Sequence, residues 1–289
     1  MKISVVSDEF SWAVRELVLA AKRQGIELEI VDVSGINSLD FIDSMGEVVI
    51  WRSSSLDLGA EKATCLELIK RKKVLINPGI ARYPYIPYKL FQQKVVADNF
   101  KSIGIPTFKF KNGAGLDNFI RRQRLLDFPL VVKPSLGGRG RDVRLLKNWK
   151  DLDKMKGRFR WKDVIFQGFI PNNGDYRVLI VGGKALGVVF RRARKGVFAN
   201  NASLGASVSW VRDKKILKRL GAISSKITNL FGLFLYGLDI MEDKRTGKLY
   251  FMELNTKVGW KAFQKATGIN VSDEVLKYCR KLRGKRVDR

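Results

Sequence analysis

The 289-residue sequence predicts a mixed α/β and α+β protein in three units, on three observations. Apolar strand patterns alternate with helical ones from Lys2 to Asn77, as in a small parallel domain. From Phe128 onward, strands with two-residue periodicity dominate. The hairpin "GLDIMEDKRTGKLYFMELN" (Gly237–Asn255) carries acidic residues inside strands that read as buried. The expected units are an N-terminal α/β domain over 1–88, a central subdomain with a Gly-rich phosphate loop over 89–170, and a C-terminal subdomain over 171–289.

The first unit opens with the strand "KISVV" (Lys2–Val6). Ser11 then fits the N-cap of a helix whose Val14, Leu17, Val18 and Ala21 share one face, and Gly25 ends it. "ELEIVDV", "EVVIWRS", a helix near Glu61 to Lys72 and "VLIN" (Val74–Asn77) continue the alternation. "NPGIARYPYIPY" (Asn77–Tyr88) reads as a linker. A helix from Lys89 stops at Gly104, followed by "TFKF", a helix over "LDNFIRRQRL" and the strand "FPLVVKP". Beyond it come "VRLL", "DVIFQGFI", "DYRVLIVGG", "KALGVVFRRA", the loop "GVFANNASLGASVSW", a helix near Lys214 to Leu230 and the acidic hairpin.

Composition removes several chemistries. The chain has no histidine, which excludes Ser-His-Asp and Cys-His nucleophiles and His-ligated zinc. A metal would be held by oxygen, as magnesium is. Cys65 and Cys279 have no metal-site spacing and read as reduced structural thiols, which predicts a cytoplasmic location. The apolar runs are too short to span a bilayer, and "MKISVV" enters a strand directly, predicting no signal peptide. With 55 basic and 28 acidic residues, the net charge of +27 suits a polyanionic partner or a lysine-rich solvated surface. The tail Lys277–Arg289 reads as a helix end with a basic terminus, although nucleic-acid contact is also open to it.

Four segments can carry chemistry. In the hairpin, Glu253 and Asn255 point the same way, and Asp239 joins them if the paired residue numbers sum to an even value. Two carboxylates and an amide would suit Mg²⁺; the competing reading is the solvated face of an edge hairpin. In "VVKPSLGGRGRDVRLL", Lys133 ends a strand, and Ser135, Gly137 and Gly138 belong to a glycine-rich turn able to close on phosphate, or to an ordinary hairpin. In "QGFIPNNGDYRV", the extended Gly168, Phe169 and Ile170 can offer backbone groups to adenine. Asp175 and Arg177 share a strand face there, as site residues or as a cross-strand ion pair. In "FRRARKGVFANNASLGAS", Arg191 and Arg192 face opposite ways, so only one enters a site; Asn200 and Asn201 can reach phosphate or metal, or lie in a solvated loop.

In this order, these segments resemble the RimK-like branch of the ATP-grasp carboxylate–amine ligases over Lys89 to Tyr278. The resemblance implies an ATP-grasp fold behind a Rossmann-like pre-ATP-grasp domain. It implies ATP held by Lys133, Gly168, Phe169, Asp175 and the Ala199–Asn200–Asn201 run, and metal ligands at Asp239, Glu253 and Asn255. Two Mg²⁺ ions, or Mn²⁺ in their place, would serve it. Arg192 matches an arginine assigned to the reacting carboxylate or acyl phosphate, with Arg177 beside it. The implied reaction joins glutamate or a similar amino acid to an anionic peptide, protein or coenzyme, and a homo-oligomer is compatible with it. The chain departs from the family pattern at Phe190, usually Glu; at Ser203 to Ala206, usually "HRGG"-like; and at Lys257 and Val258, usually Ser and Pro. The competing class is a non-catalytic nucleotide- or nucleic-acid-binding protein on the same scaffold.

Overall fold

The computed structural model describes residues 1–35, 38–123, 127–137, 142–158, 160–194 and 205–283. Its first sheet is parallel, in the order β2-β1-β3-β4, from β1 (Lys2–Val6), β2 (Glu27–Val31), β3 (Val48–Trp51) and β4 (Val74–Leu75). α1 (Trp12–Arg23), α2 (Phe41–Ser44) and α3 (Leu58–Lys70) connect its strands. Ser11 caps α1, its Oγ accepting from Val14 N, and Asp57 caps α3 through Gly59 N and Ala60 N.

Asn77 to Tyr88 is not the linker that its Pro and Tyr content suggests. It contains α4 (Gly79–Arg82), and Asn77 is buried against the later chain. The Asn77 amide donates to Leu235 O at 2.7 Å and accepts from Phe234 N and Leu235 N at 2.8 and 2.9 Å. At Gly79 the backbone approach leaves no room for a side chain: a Cβ would lie 1.7 Å from Phe231 O.

α5 (Lys89–Asn99) leads to a second, antiparallel sheet in the order β5-β8-β6-β7. Its elements are β5 (Thr107–Phe108), α6 (Gly113–Gln123), β6 (Leu130–Pro134), β7 (Arg144–Leu146), α7 (Trp149–Lys156) and β8 (Val164–Gly168). The third sheet is antiparallel in the order β11-β10-β9-β12-β13. It comprises β9 (Asp175–Val181), β10 (Lys184–Arg192), β11 (Ser207–Trp210), β12 (Leu235–Glu242) and β13 (Leu249–Asn255), with α8 (Lys214–Phe231) between β11 and β12. β11 is a strand within the stretch expected to be loop; it pairs with the end of β10 from Val189 to Arg192. α9 (Lys261–Thr267) and α10 (Val271–Leu282) return to the first unit, where Asp273 accepts from the Gln24 side chain at 2.9 Å. No described helix is long and apolar enough to cross a membrane.

The cores sort these sheets into two bodies. Val6, Val49 and Leu75 share one apolar cluster with Val178, Ile180, Leu238 and Phe231. Ile3, Val5 and Leu17 share another with Leu179, Leu235, Trp260 and Val275. The first and third sheets therefore share two apolar clusters, each sheet contributing one face to each. The second sheet has its own core of Leu116, Ile120, Leu130, Val132, Leu146, Leu152 and Phe166.

β13 lies at a sheet edge, where its outer backbone groups need partners. Two side chains of α5 provide them. Gln92 donates to Leu254 O at 3.0 Å and accepts from Leu254 N at 2.9 Å, while Gln93 donates to Phe251 O and Met252 O. Both glutamines are buried. Gln92→Leu strands buried Leu254 groups, each costing about 1–3 kcal/mol. A loss of about 2–4 kcal/mol in urea unfolding is expected, with faster amide exchange at Leu254. Unchanged unfolding and exchange would show that the edge does not rely on this clamp.

Candidate nucleotide and metal site

A bulge sets the acidic hairpin. Gly237, Leu238 and Asp239 pair with Asn255, Leu254 and Glu253; the register then slips, and Ile240 pairs with Phe251. Met252 is the extra residue. Strict alternation would place Phe251 and Glu253 on one face, but the bulge separates them. Phe251 joins Ile240 in the core, while Glu253 stays beside Asp239. The turn closes at Gly247, whose φ is +69° and whose N–H donates to Asp243 O at 2.7 Å.

The face holding Asp239 and Glu253 also carries Asp175 and Arg177 of β9 and Arg191 of β10. Asp239 lies opposite Arg177, and Arg191 opposite Asp175. Arg191 makes two bonds to Asp175, Nε to Oδ1 at 2.8 Å and Nη2 to Oδ2 at 2.6 Å. Its Nη2 also lies 3.1 Å from Asp239 Oδ2. Arg177 meets Asp239 through Nη2 to Oδ2 at 2.9 Å and through a close Nε–Oδ1 contact. Gly237 makes room for this, since a Cβ there would lie 2.6 Å from Arg177 Nη1. Burial alone would raise the Asp239 carboxyl, but Arg177 and Arg191 beside it hold it below the ordinary carboxylate value. Burial likewise opposes the charge on Arg191, and Asp239 with Asp175 outweighs it.

The buried Asp239 therefore has its compensating cations already, and they are guanidiniums. Asp175, expected at the nucleotide, is an ion partner of Arg191, and Arg177 pairs with Asp239, each across to a neighbouring strand. Arg191, not Arg192, shares the Asp239 face. Arg192 is exposed on the opposite face of β10, where its Nε donates to Asn173 O at 3.3 Å and its guanidinium lies 5.8 Å from the Phe190 ring.

Glu253 is differently placed, with its side chain 23% exposed. The Asn255 amide donates to Glu253 Oε1 at 3.3 Å, and Lys89 Nζ lies 3.6 Å from Oε2. Lys89 Nζ also donates to Gly137 O at 2.6 Å, and its backbone N–H donates to Ser135 O at 2.9 Å. The glycine-rich turn, the start of α5 and the acidic hairpin thus meet at one buried lysine. Lys133 stands in the same cleft. Burial lowers its ammonium to about 8, with Glu253 acting to raise it and Lys89 to lower it further. Sequence reasoning passed over Lys89. The available signal was a cation in the first turn of a helix, where the dipole disfavours it and only an anion nearby rewards it.

Gly168, Phe169 and Ile170 lie at the end of β8, on the connection to β9. The Phe169 N–H is already bonded to Pro129 O at 3.0 Å, and Ile170 O accepts from Asn172 at 2.9 Å. Ser135 is buried, its N–H donating to Asp163 O at 2.7 Å, and Gly137 has φ +60°. Gly138, Ala199, Asn200 and Asn201 lie outside the described residues.

The oxygen donors Glu253 and Asn255 fit a hard divalent cation, and two lysines opposite them fit the phosphates it would bridge. Asp239 fits that role only in exchange for part of its arginine contacts. Among the described residues there is no cluster of three or more His, Cys, Asp or Glu side chains able to hold a metal.

Comparison with known proteins shows the family and the fold. Residues 60–279 match the RimK-like ATP-grasp domain. Human beta-citrylglutamate synthase B is 28% identical over 185 residues, which is 62% of this chain and 47% of the relative. A probable alpha-L-glutamate ligase of Syntrophotalea carbinolica is 29% identical over 185 residues, 63% of this chain and 60% of the relative. The chain thus spans about half the length of these curated relatives. The ATP-grasp ligase PsnB with a minimal precursor superposes with a TM-score of 0.72 at 17% identity, over 96% of this chain and 99% of PsnB. D-cycloserine synthetase DcsG gives 0.67 at 17% identity, over 97% and 99% of the two chains. At these identities the solved structures establish the fold, which is ATP-grasp.

The two neighbouring arginines should behave oppositely on mutation. Arg191→Met leaves Asp175 and Asp239 buried with only Arg177 to balance them, a loss of about 3–5 kcal/mol in urea unfolding. Arg192→Ala, on the exposed face, should stay within about 0.5 kcal/mol of the parent. Equal effects would contradict the assignment of faces.

Proposed function

Because this chain belongs to the RimK-like ATP-grasp family, we propose that it is an ATP-dependent ligase joining a carboxylate to an amine. The observation that carries the reading is the convergence of Lys89 and Lys133 on Glu253 and Asn255 beside the glycine-rich turn. Cationic donors for phosphate face oxygen donors for a metal, and a metal-bound triphosphate would engage both sets, competing with Glu253 for Lys89. The carboxylate attacks the γ-phosphorus, ADP leaves, the amine attacks the acyl phosphate, and phosphate departs as the amine loses its proton.

In this reading Lys89 and Lys133 neutralise and orient the phosphates, with Ser135, Gly137 and Gly138 closing on them. Phe169, Ile170 and the Ala199–Asn201 run complete the nucleotide contacts. Two Mg²⁺ ions, replaceable by Mn²⁺, would supply Lewis-acid neutralisation of phosphate charge when bound to Glu253, Asn255 and Asp239. Arg177, which lies with Arg191 on the Asp239 face, would stabilise developing acyl-phosphate charge in preference to Arg192 on the opposite face. The names of the relatives support glutamate as the amine, and the charge of +27 supports an anionic peptide, protein or coenzyme as acceptor.

One observation favours a second reading. Asp239 is tied up by two arginines, which would suit a scaffold that binds nucleotide without turnover. The assay that separates them incubates the protein with ATP, Mg²⁺, L-glutamate and candidate anionic acceptors. Repeated turnover to ADP and phosphate should require both amine and acceptor, and Glu253→Gln should abolish turnover while the fold persists. AMP and pyrophosphate, or undiminished turnover by the folded Glu253→Gln protein, would overturn the ligase mechanism.

Metal binding offers a second check. A cation at Glu253 meets Lys89 and Lys133 at close quarters, so without phosphates its site is electrostatically poor. Calorimetry should detect little Mg²⁺ binding to the protein alone and clear binding once ADP is present. Tight binding of Mg²⁺ alone would remove the lysines from the metal's surroundings.

A further inference from the structure

A cavity lies outside the metal cleft, at the end of the first sheet. The strand order β2-β1-β3-β4 has its topological switch between β1 and β3, where the chain leaves toward opposite ends of the sheet. Crevices beyond the carboxyl ends of such strands are the ligand positions of open α/β sheets. Here that crevice is a cavity of ≈ 470 Å³, lined by Asp8, Ser11, Arg52, Ser54, Lys257 and Trp260 among others. Its volume is in the range of small-molecule sites. α1, a 12-residue helix, begins at its wall, so the positive end of the dipole faces the space.

The decisive residue is Arg52, which is only 8% exposed. Its Nη2 donates to Val258 O at 3.0 Å, and the guanidinium lies 5.0 Å from the Trp260 ring. Its Nη1 is buried with no hydrogen-bond partner among the described residues, and no described carboxylate forms an ion pair with it. The nearby acids are engaged elsewhere: Glu61 accepts from the Trp51 indole at 2.7 Å, and Asp8 accepts from Ser54 N at 2.8 Å. A buried guanidinium without a counter-charge is costly, and an incoming anion would remove that cost. Lys257 stands beside it, its Nζ donating to Ser54 Oγ at 3.0 Å and lying 3.9 Å from Glu61 Oε1. The buried Trp260 Nε1 also lacks a partner among the described residues.

We propose that this cavity binds the free amino acid that supplies the amine, its carboxylate held by Arg52 and Lys257. Asp8 and Glu9 on the same cavity wall give the opposite charge that an ammonium requires, so the lining matches a zwitterion better than a simple dianion. The position suits a substrate. Lys257 is two residues beyond Asn255, at the exit of β13, so the cavity and the metal face are joined by one short segment. The inference rests on the ligase reading and names where its amine substrate sits.

The test uses the full chain with Mg²⁺ and a non-hydrolysable ATP analogue, and L-glutamate as the probe. Calorimetry should show glutamate binding to the parent that weakens at least tenfold in Arg52→Gln, with ADP affinity unchanged. In turnover, glutamate KM should rise while kcat is largely kept, a split that a merely structural role would not produce. Lys257→Met, at a less buried position, gives the same reading if Arg52→Gln fails to fold. Glutamate binding that is equal in parent and variants overturns the proposal. So does a parent that binds ADP but no glutamate, and that result leaves the ligase reading standing. A parent that binds glutamate through Arg52 but never forms ADP keeps this site and sinks the ligase reading instead.

Discussion

Two arginines and two aspartates buried on one face of the third sheet are the constraint around which the site is arranged. Arg177, Arg191, Asp175 and Asp239 sum to zero charge, and each lies within ionic reach of an opposite partner. Such a quartet is weak evidence for stability, because desolvating four charges offsets much of their attraction. Its effect is on geometry. β9, β10 and β12 are locked in one register by it, since a one-residue slip would turn the charges into the apolar core on the other face. Through β12, the same register fixes where β13 must place Glu253.

Glu253 then depends on two local devices. The bulge at Met252 lets it remain on the charged face while Phe251 packs inside. The glutamine clamp from α5 holds the strand edge that carries it. Because α5 also begins with Lys89, one helix positions both the oxygen donor and the lysine facing it. Lys89 reaches across to Gly137 O in the unit with its own separate core. The contact between the two bodies at this point is therefore hydrogen-bonded, from Lys89 to Gly137 O and Ser135 O, and a phosphate would compete for the same lysine.

Most elements were legible because period and capping agreed. Ser11, Gly25 and the helical spacing of Val14, Leu17 and Ala21 foretold α1. The condition set for the hairpin, an even sum of paired residue numbers, is not met next to the turn and is met at Asp239 and Glu253 only through the bulge at Met252, which the sequence did not announce. What escaped was non-local. Asn77 looks like loop because its partners at Phe234 and Leu235 are more than 150 positions away in sequence. The partners of Asp175 and Arg177, Arg191 and Asp239, could not be named until the order of strands was known. Lys89 was hidden for a related reason: a lysine opening a helix looks solvated until a glycine-rich turn and a glutamate are seen beside it.

The departures from the family pattern can now be sorted by location. Phe190, which stands where a Glu is usual, lies off the charged face, its ring 5.1 Å from Tyr176 and beneath Arg192. Losing a carboxylate there leaves the Asp239–Glu253 face unaltered. Val258 and Lys257 are different. Val258 is buried, its side chain would touch any Cβ added to Gly237, and its carbonyl receives Arg52 from the first sheet. Lys257 enters the cavity at the end of that sheet. A Ser and a Pro at these positions would withdraw one cation and change the backbone that presents the carbonyl to Arg52. Ser203 and Leu204, in the remaining departure, lie outside the described residues. Of the departures at Phe190, Lys257 and Val258, the last two alter the segment that joins the charged face to the first sheet, and the first leaves that face as it is.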